Sequence, residues 1–208
     1  MISIRILMLA SCLAAVAVPA TASTNVLPAN WTVISVNGTT GSLRAGSPWG
    51  PGSTPSNSLS PVDGTFEPTS QQWNKGSFWW DQDRSINANP VTWEVLLGQS
   101  FTFDRFVVQA DDNDTYLLEY WDGATYQSAF AVPFACCFGL QTRDSGTIAA
   151  ITTNRFRFTA TGGDNYYSLS EFQAFAVPEP STWALMILGF GLVGGAMRQR
   201  KTLALSYG

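Results

Sequence analysis

The residues with the widest chemical scope form three small groups. Asp111-Asp112-Asn113-Asp114 concentrates hard oxygen donors in four consecutive positions, which suits calcium at Asp111, Asp112 and Asp114. The spacing is not that of an EF-hand, because the glycine that such a loop needs at its sixth position is missing. The same residues equally suit a β-turn, in which Asp and Asn accept left-handed backbone and bond their own main chain. Both readings stay open at the level of sequence. The second group is the adjacent pair Cys136-Cys137. Neighbouring Cα atoms lie about 3.8 Å apart, below the usual disulfide span of about 4.4–6.8 Å, so an internal bond is a vicinal disulfide. Bonds to another chain, two free thiols, or two small apolar residues after Pro133-Phe134-Ala135 are the alternatives. There is no histidine anywhere in the chain. That removes Ser-His-Asp and Cys-His nucleophile systems and histidine metal sites. Paired carboxylates, the machinery of a glycosidase, are present in number, but many sit in turns.

The third group is aromatic. Of eight tryptophans, seven precede the C-terminal tail. Aromatic faces stack on the apolar faces of sugar rings, and the edges of Trp and Tyr remain polar enough to meet hydroxyls. Trp49 and Trp73 lie in polar, loop-like surroundings. Phe78-Trp79-Trp80 alternates across a strand, which turns one of Trp79 and Trp80 outward. Tyr166-Tyr167 follows the turn-forming Gly162-Gly163-Asp164-Asn165. The ligand-binding candidates are therefore Trp49, Trp73, Trp79, Trp80, Tyr166 and Tyr167, with most of the remaining tryptophans expected in a core.

These groups sit between two segments of different character. Met1–Ala22 has a basic residue at Arg5, an apolar run from Ile6 to Val18 and the small-x-small site Ala20-Thr21-Ala22, the pattern of a secretory signal peptide. Leu9-Ala10-Ser11-Cys12 also spells a lipoprotein box, but the apolar run continues past Cys12. At the other end, Val177-Pro178-Glu179-Pro180 is followed by an uncharged run from Trp183 to Met197 and by the basic Arg198-Gln199-Arg200-Lys201. As a helix, 183–197 spans roughly 22 Å, and with Ser181 and Thr182 it nearly reaches the ~30 Å of a hydrocarbon core. It reads as a transmembrane helix with its basic end left in the cytoplasm. Gly189 to Gly194 spells a dinucleotide fingerprint, but no strand precedes it. Gly191 and Gly195 fit helix packing better. This order of parts resembles the PEP-CTERM sorting signal of Gram-negative bacteria, over 177–201 with a short tail at 202–208. The resemblance implies export through the inner membrane, transient residence there, recognition by an exosortase-type membrane enzyme, and delivery to the cell surface or an extracellular matrix.

Residues 23–176 remain as one domain. About 155 residues can bury about 70% of their unfolded surface. Seven Lys and Arg stand against fourteen Asp and Glu between residues 23 and 177, a net of −7, which argues against nucleic acid as a partner. Asn37–Thr69 is rich in Gly, Ser, Pro and Thr and predicts long loops. Elsewhere the period is two. Trp31–Val36, Val91–Leu96, Arg105–Ala110, Tyr116–Trp121, Ala124–Ala131, Arg155–Ala160 and Leu169–Ala176 predict strands, with Asp122-Gly123 as a hairpin turn. Many short strands between turns predict an all-β, antiparallel β-sandwich. The run from Phe103 to Ala110, the strand closed by Asp122-Gly123, the Arg-bearing Asn154–Phe158 and the closing Leu169-Ser170-Glu171-Phe172 are similar to the discoidin-like, galactose-binding-like jelly-roll domains. That resemblance implies a binding protein whose ligands are sugars, glycans or lipid head groups held by loops at one end. It marks Arg157 and Glu171 as structural or site-bordering.

Taken together, the sequence describes an exported, non-enzymatic sandwich that binds extracellular polysaccharide, as in a biofilm matrix. It requires no cofactor, and calcium is the one candidate ion. The runner-up is a structural or adhesion protein of the matrix with no sugar site, cross-linked through Cys136 and Cys137. A glycosidase stands behind both.

Overall fold

The computed structural model describes residues 23–82, 90–177 and 180–199. The expected signal peptide, Pro178 and Glu179 of the tail motif, and residues 200–208 lie outside the described residues.

Strand formation follows the period-two patterning. Along β4 (Thr92–Asp111) the first buried residues are Trp93, Val95 and Leu97, separated by partly exposed Thr92, Glu94 and Leu96. The sequence predicts two strands here, and the structure joins them into one of 20 residues. The join is made by a register slip against β8 (Ile151–Gly162) between Leu96 and Phe101, around Gly98. The slip lets β4 serve two layers. Its first part pairs with β2 (Trp31–Asn37) on one side and β8 on the other. β5 (Thr115–Trp121) and β6 (Tyr126–Val132) then extend that layer from β8. Its second part pairs with β7 (Leu140–Asp144) and β9 (Tyr166–Ala176). Along the far edge of β9 lie β3 (Phe78–Asp81) and the short β1 (Thr24–Asn25). All pairings are antiparallel, and the nine strands form one sheet folded onto itself. The Asp122-Gly123 hairpin forms between β5 and β6. Asp122 Oδ1 accepts hydrogen bonds from the Ala124 and Thr125 amides at 2.8 Å each, and Gly123 takes the positive φ (106°) that the turn demands.

The two inner faces meet through rings. Phe156 of one layer lies 5.5 Å from Phe106 and 5.3 Å from Phe172 of the other. Trp93 meets Phe172 edge-on at 6.3 Å. Tyr116 meets Trp80 and Tyr167 at 6.5 and 6.1 Å. Offset and edge-on geometry suits the ring quadrupoles and adds to the burial of apolar area. The second part of β4 is buried on both sides. The long segment between β2 and β3 covers its outer side. Gln109 fixes that cover, accepting from the Glu67 amide and donating to the Glu67 carbonyl at 2.9 Å each. The Trp93 indole reaches the same segment through the Ser58 carbonyl at 2.9 Å.

Two expectations change. Trp80 and Tyr167 belong to the core, each 1% exposed. Trp79 is buried as well, because the long loop lies over the face it points to and takes its indole N–H at the Thr54 carbonyl, 2.7 Å away. The alternation argument assumed a bare outer face, and the loop covers it. The tail does form a helix, α2 (Pro180–Gln199). However, no helix among the described residues is long and apolar enough to cross a membrane, so the expected transmembrane span at 183–197 is not supported. Gly189, Gly191, Gly194 and Gly195 dilute its hydropathy, and polar residues flank the run.

Phe156→Ala removes the ring that touches both layers. It is expected to destabilise the domain by about 3–5 kcal/mol, read as a shift of the urea midpoint with unchanged slope.

Candidate ligand-binding cleft

One end of the sandwich gathers four chain segments. They are the turn after β4 at Asp112–Asp114, the loop Pro133–Gly139 after β6, the turn before β9 at Gly163–Asn165, and Trp49 and Trp73 of the long loop. Between them is a cavity of about 180 Å³, walled by Trp49, Trp73, Cys137, Phe138 and Gly139 and by the acidic residues Asp111, Asp112 and Asp164, with Asn113.

The acidic turns hold each other. Asn113 Nδ2 donates to Asp164 Oδ2 at 3.0 Å. The Asp164 amide donates to Asp114 Oδ1 at 3.3 Å, and the buried Tyr116 hydroxyl donates to Asp114 Oδ2 at 3.1 Å. Gly163 is required here. Its φ is +140°, and a Cβ on it would sit 1.6 Å from Asp114 Oδ1. Asn165 supplies the next left-handed residue at φ 77°.

Arg143, on β7, organises the same end from beneath. Its guanidinium donates to the carbonyls of Ala110 at 2.7 Å, Gln141 at 3.0 Å, Asp112 at 3.2 Å and Pro133 at 3.0 Å, and to that of Asp111. One buried cation thus joins the end of β4 to the cysteine-bearing loop. The Ala135 amide adds a bond to the Asp112 carbonyl at 2.7 Å. Within that loop Cys136 and Cys137 are joined to each other as a vicinal disulfide, with Cα atoms 3.7 Å apart.

The aromatic wall is built around Tyr166. Trp49 lies 6.4 Å from Tyr166 and 6.4 Å from Phe138, and Trp73 lies 5.6 Å from Tyr166. Arg44 rests over the Tyr166 ring at 4.0 Å and pairs with Asp81 at 3.3 Å. Trp73 is 3% exposed, and its indole N–H has no hydrogen-bond partner among the described residues.

Electrostatics at this end favour protons. Burial, and then the neighbouring Asp114 charge, push the Asp111 carboxyl up to about 9. Burial and Asp164 raise Asp114 to about 7. Burial lowers Arg143 and raises Tyr116. Among the described residues no group of three Asp, Glu or Cys is placed to hold a metal. Asp111 Oδ1 already takes the Asp112 amide at 3.0 Å, and both Asp114 oxygens take protein donors. Asp112 alone turns a carboxylate outward that accepts no hydrogen bond from a described residue.

The sequence candidates are therefore divided. Trp49, Trp73, Asp111, Asp112 and Cys137 line the cleft, Tyr166 braces its wall, and Asp114 lies behind it. Trp79, Trp80 and Tyr167 are not at the surface. Arg157 pairs with Glu119 at 2.8 Å and covers Tyr126 at 3.9 Å, and it does not line the cleft. Glu171 is fully buried, and burial with Asp63 nearby raises it to about 8. Sequence reasoning placed Asn113 in the acidic cluster but did not single out Phe138, Asp164, Arg44 or Arg143. Only the turn signal at 162–165 pointed toward one of them.

With this geometry in hand, comparisons with known proteins add an address. Residues 176–201 match the PEP-CTERM protein-sorting motif. The motif implies secretion, a place at the cell-envelope surface and processing by an exosortase. Val177 is its second residue, its amide bonded to the Thr102 carbonyl at 2.9 Å, and Pro180 begins α2. No curated protein matches the chain. Structural neighbours are family 32 carbohydrate-binding modules. That of Clostridium perfringens NanJ, solved with galactose, is 14% identical over 74% of this chain and 98% of the module, with a TM-score of 0.48. Another from C. perfringens, solved with GalNAc-β-1,3-galactose, is 15% identical over 74% and 100%, at 0.47. The module of Streptococcus pneumoniae EndoD is 13% identical over 74% and 100%, at 0.44.

Asp111, Asp114 and Glu171 all have folded-state pKa values raised above those of the unfolded chain. Between the two values the folded state holds protons that the unfolded chain has released, so the contribution of these three groups to stability is full below about pH 4 and is lost as pH rises through about 7–9. In chelator-containing buffer the melting temperature should fall between about pH 5 and pH 8, and Glu171→Gln should reduce that fall. A melting temperature that climbs over this range would contradict the assignment.

Proposed function

We propose that this protein is an exported, non-catalytic β-sandwich of a Gram-negative cell envelope that holds extracellular polysaccharide in the cleft at its loop end. The observation that carries this reading is the cleft's lining. Trp49 and Phe138 offer ring faces, and the unpaired Trp73 N–H offers a donor that a sugar oxygen would satisfy. Asn113, Asp112 and Asp164 supply polar groups for hydroxyls. A small concave site with aromatic walls and a few convergent polar groups is the usual form of a saccharide pocket. Exosortase and, transiently, the inner membrane are the partners this reading assigns to the tail, and the matrix of a biofilm is its setting. No cofactor enters the reading. Calcium at Asp111, Asp112 and Asp114 is addressed by running every titration with and without chelator.

The alternative of a matrix protein joined through intermolecular disulfides is less well supported, because Cys136 and Cys137 are bonded to each other.

Titration of the host's exopolysaccharide should saturate. Trp49→Ala should weaken binding about five- to ten-fold, the scale of one aromatic stack. Trp73→Phe keeps an aromatic ring but loses the five-membered ring that carries the N–H, and should weaken binding by a smaller factor. Unchanged affinity in both, with the fold intact by circular dichroism, overturns the site.

A further inference from the structure

Acidic side chains crowd the cleft. Asp111, Asp112 and Asp164 line it and Asp114 lies behind it, while no Lys or Arg side chain among the described residues is part of the lining. Among the described residues, the two arginines nearby are committed elsewhere. Arg143 spends its donors on five main-chain carbonyls. Arg44 pairs with Asp81 and lies against Tyr166. Like charges this close raise one another's cost of ionisation, and an added positive group relieves it. The same cavity also has the Trp49 and Phe138 faces, which attract a cation as well as an apolar ring face. A bare metal ion uses neither the rings nor the unpaired Trp73 N–H. A saccharide that carries an ammonium group uses all of them.

We propose that the cleft selects a cationic amino sugar, a hexosamine with a free protonated amine, over its neutral N-acetylated counterpart. This rests on the saccharide reading above and narrows its ligand class. The ring stacks at Trp49 and Phe138. The ammonium group lies among the Asp112 and Asp164 carboxylates, and a ring oxygen or hydroxyl accepts the Trp73 N–H. Asp112 is the selectivity residue best suited to test, since its carboxylate bonds to no described residue and its replacement leaves the turn intact.

The test is calorimetric titration of the purified full-length chain with glucosamine oligomers and with the same oligomers N-acetylated. It is run at about pH 6, where such amines keep their proton, in low and in high salt. The expected result is at least about ten-fold tighter binding of the free-amine oligomer, a preference that shrinks in high salt. Asp112→Asn should remove most of that preference, weakening the free-amine oligomer by a larger factor than the neutral one. Equal or tighter binding of the N-acetylated oligomer overturns the proposal and leaves the saccharide reading standing. A preference that survives both Asp112→Asn and Asp164→Asn overturns it as well. Displacement of the oligomer by millimolar calcium assigns the carboxylates to a metal instead and also overturns it. Failure of either oligomer and of every other polysaccharide to bind removes the saccharide reading itself.

Discussion

The constraint on which the structure depends is that one strand must serve two layers. β4 leaves the first layer and enters the second within a single run of 20 residues, and the slip between Leu96 and Phe101 is where it turns. Because its two parts lie in different layers, the inner faces are forced into contact. Phe106 of the second part and Phe156, the partner strand's ring, then sit 5.5 Å apart. The ring cluster is thus both a consequence of the bend and what holds it. The same strand ends at Asp111, so the acidic turn is placed at the sandwich end by the strand that defines the sandwich.

At that end the physics changes from apolar burial to polar compromise. Arg143 is desolvated and has its hydrogen bonds met by carbonyls rather than by a carboxylate. This arrangement satisfies donors without neutralising charge. It fixes two loops in place, yet leaves the Asp residues beside it to be balanced by protons. Stability alone favours a different solution, with one acid bonded directly to the guanidinium. Sites that depart from the most stable local arrangement, with carboxyls shifted by burial and by one another, are where ligand chemistry is usually found.

Much of the fold was legible because period-two patterning is a local signal. Trp93, Val95, Phe156 and Phe158 alternate with polar or exposed neighbours, and Asp122-Gly123 specifies its turn within two residues. Less of the site was legible. Whether Trp79 or Trp80 faces solvent depends on a loop more than twenty positions away in sequence, held by Thr54 and Ser56. Arg143 carries no local mark of its role, since its five acceptors come from three separate segments. Cys136-Cys137 left its pairing open, because adjacency permits an internal bond without requiring one. Trp49 and Trp73 were findable from their polar surroundings alone, and the structure puts both in the cleft wall.

The position of the sorting motif gives the cleft a direction. β9 begins at Tyr166, which braces the aromatic wall, and ends at Ala176, one residue before Val177. Ten strand steps separate Tyr166 from Ala176, a distance of about 33 Å, and the Thr102 carbonyl pins the Val177 amide at the far end. The chain therefore leaves the sandwich at the end opposite the cleft. The sorting motif and the cleft thus lie at opposite ends of the sandwich. The antiparallel pairing of β9 with β4 fixes this arrangement. Reversing it would require the closing strand to run the other way, which the pairing of Val108 with Phe172 and of Phe106 with Ala174 excludes.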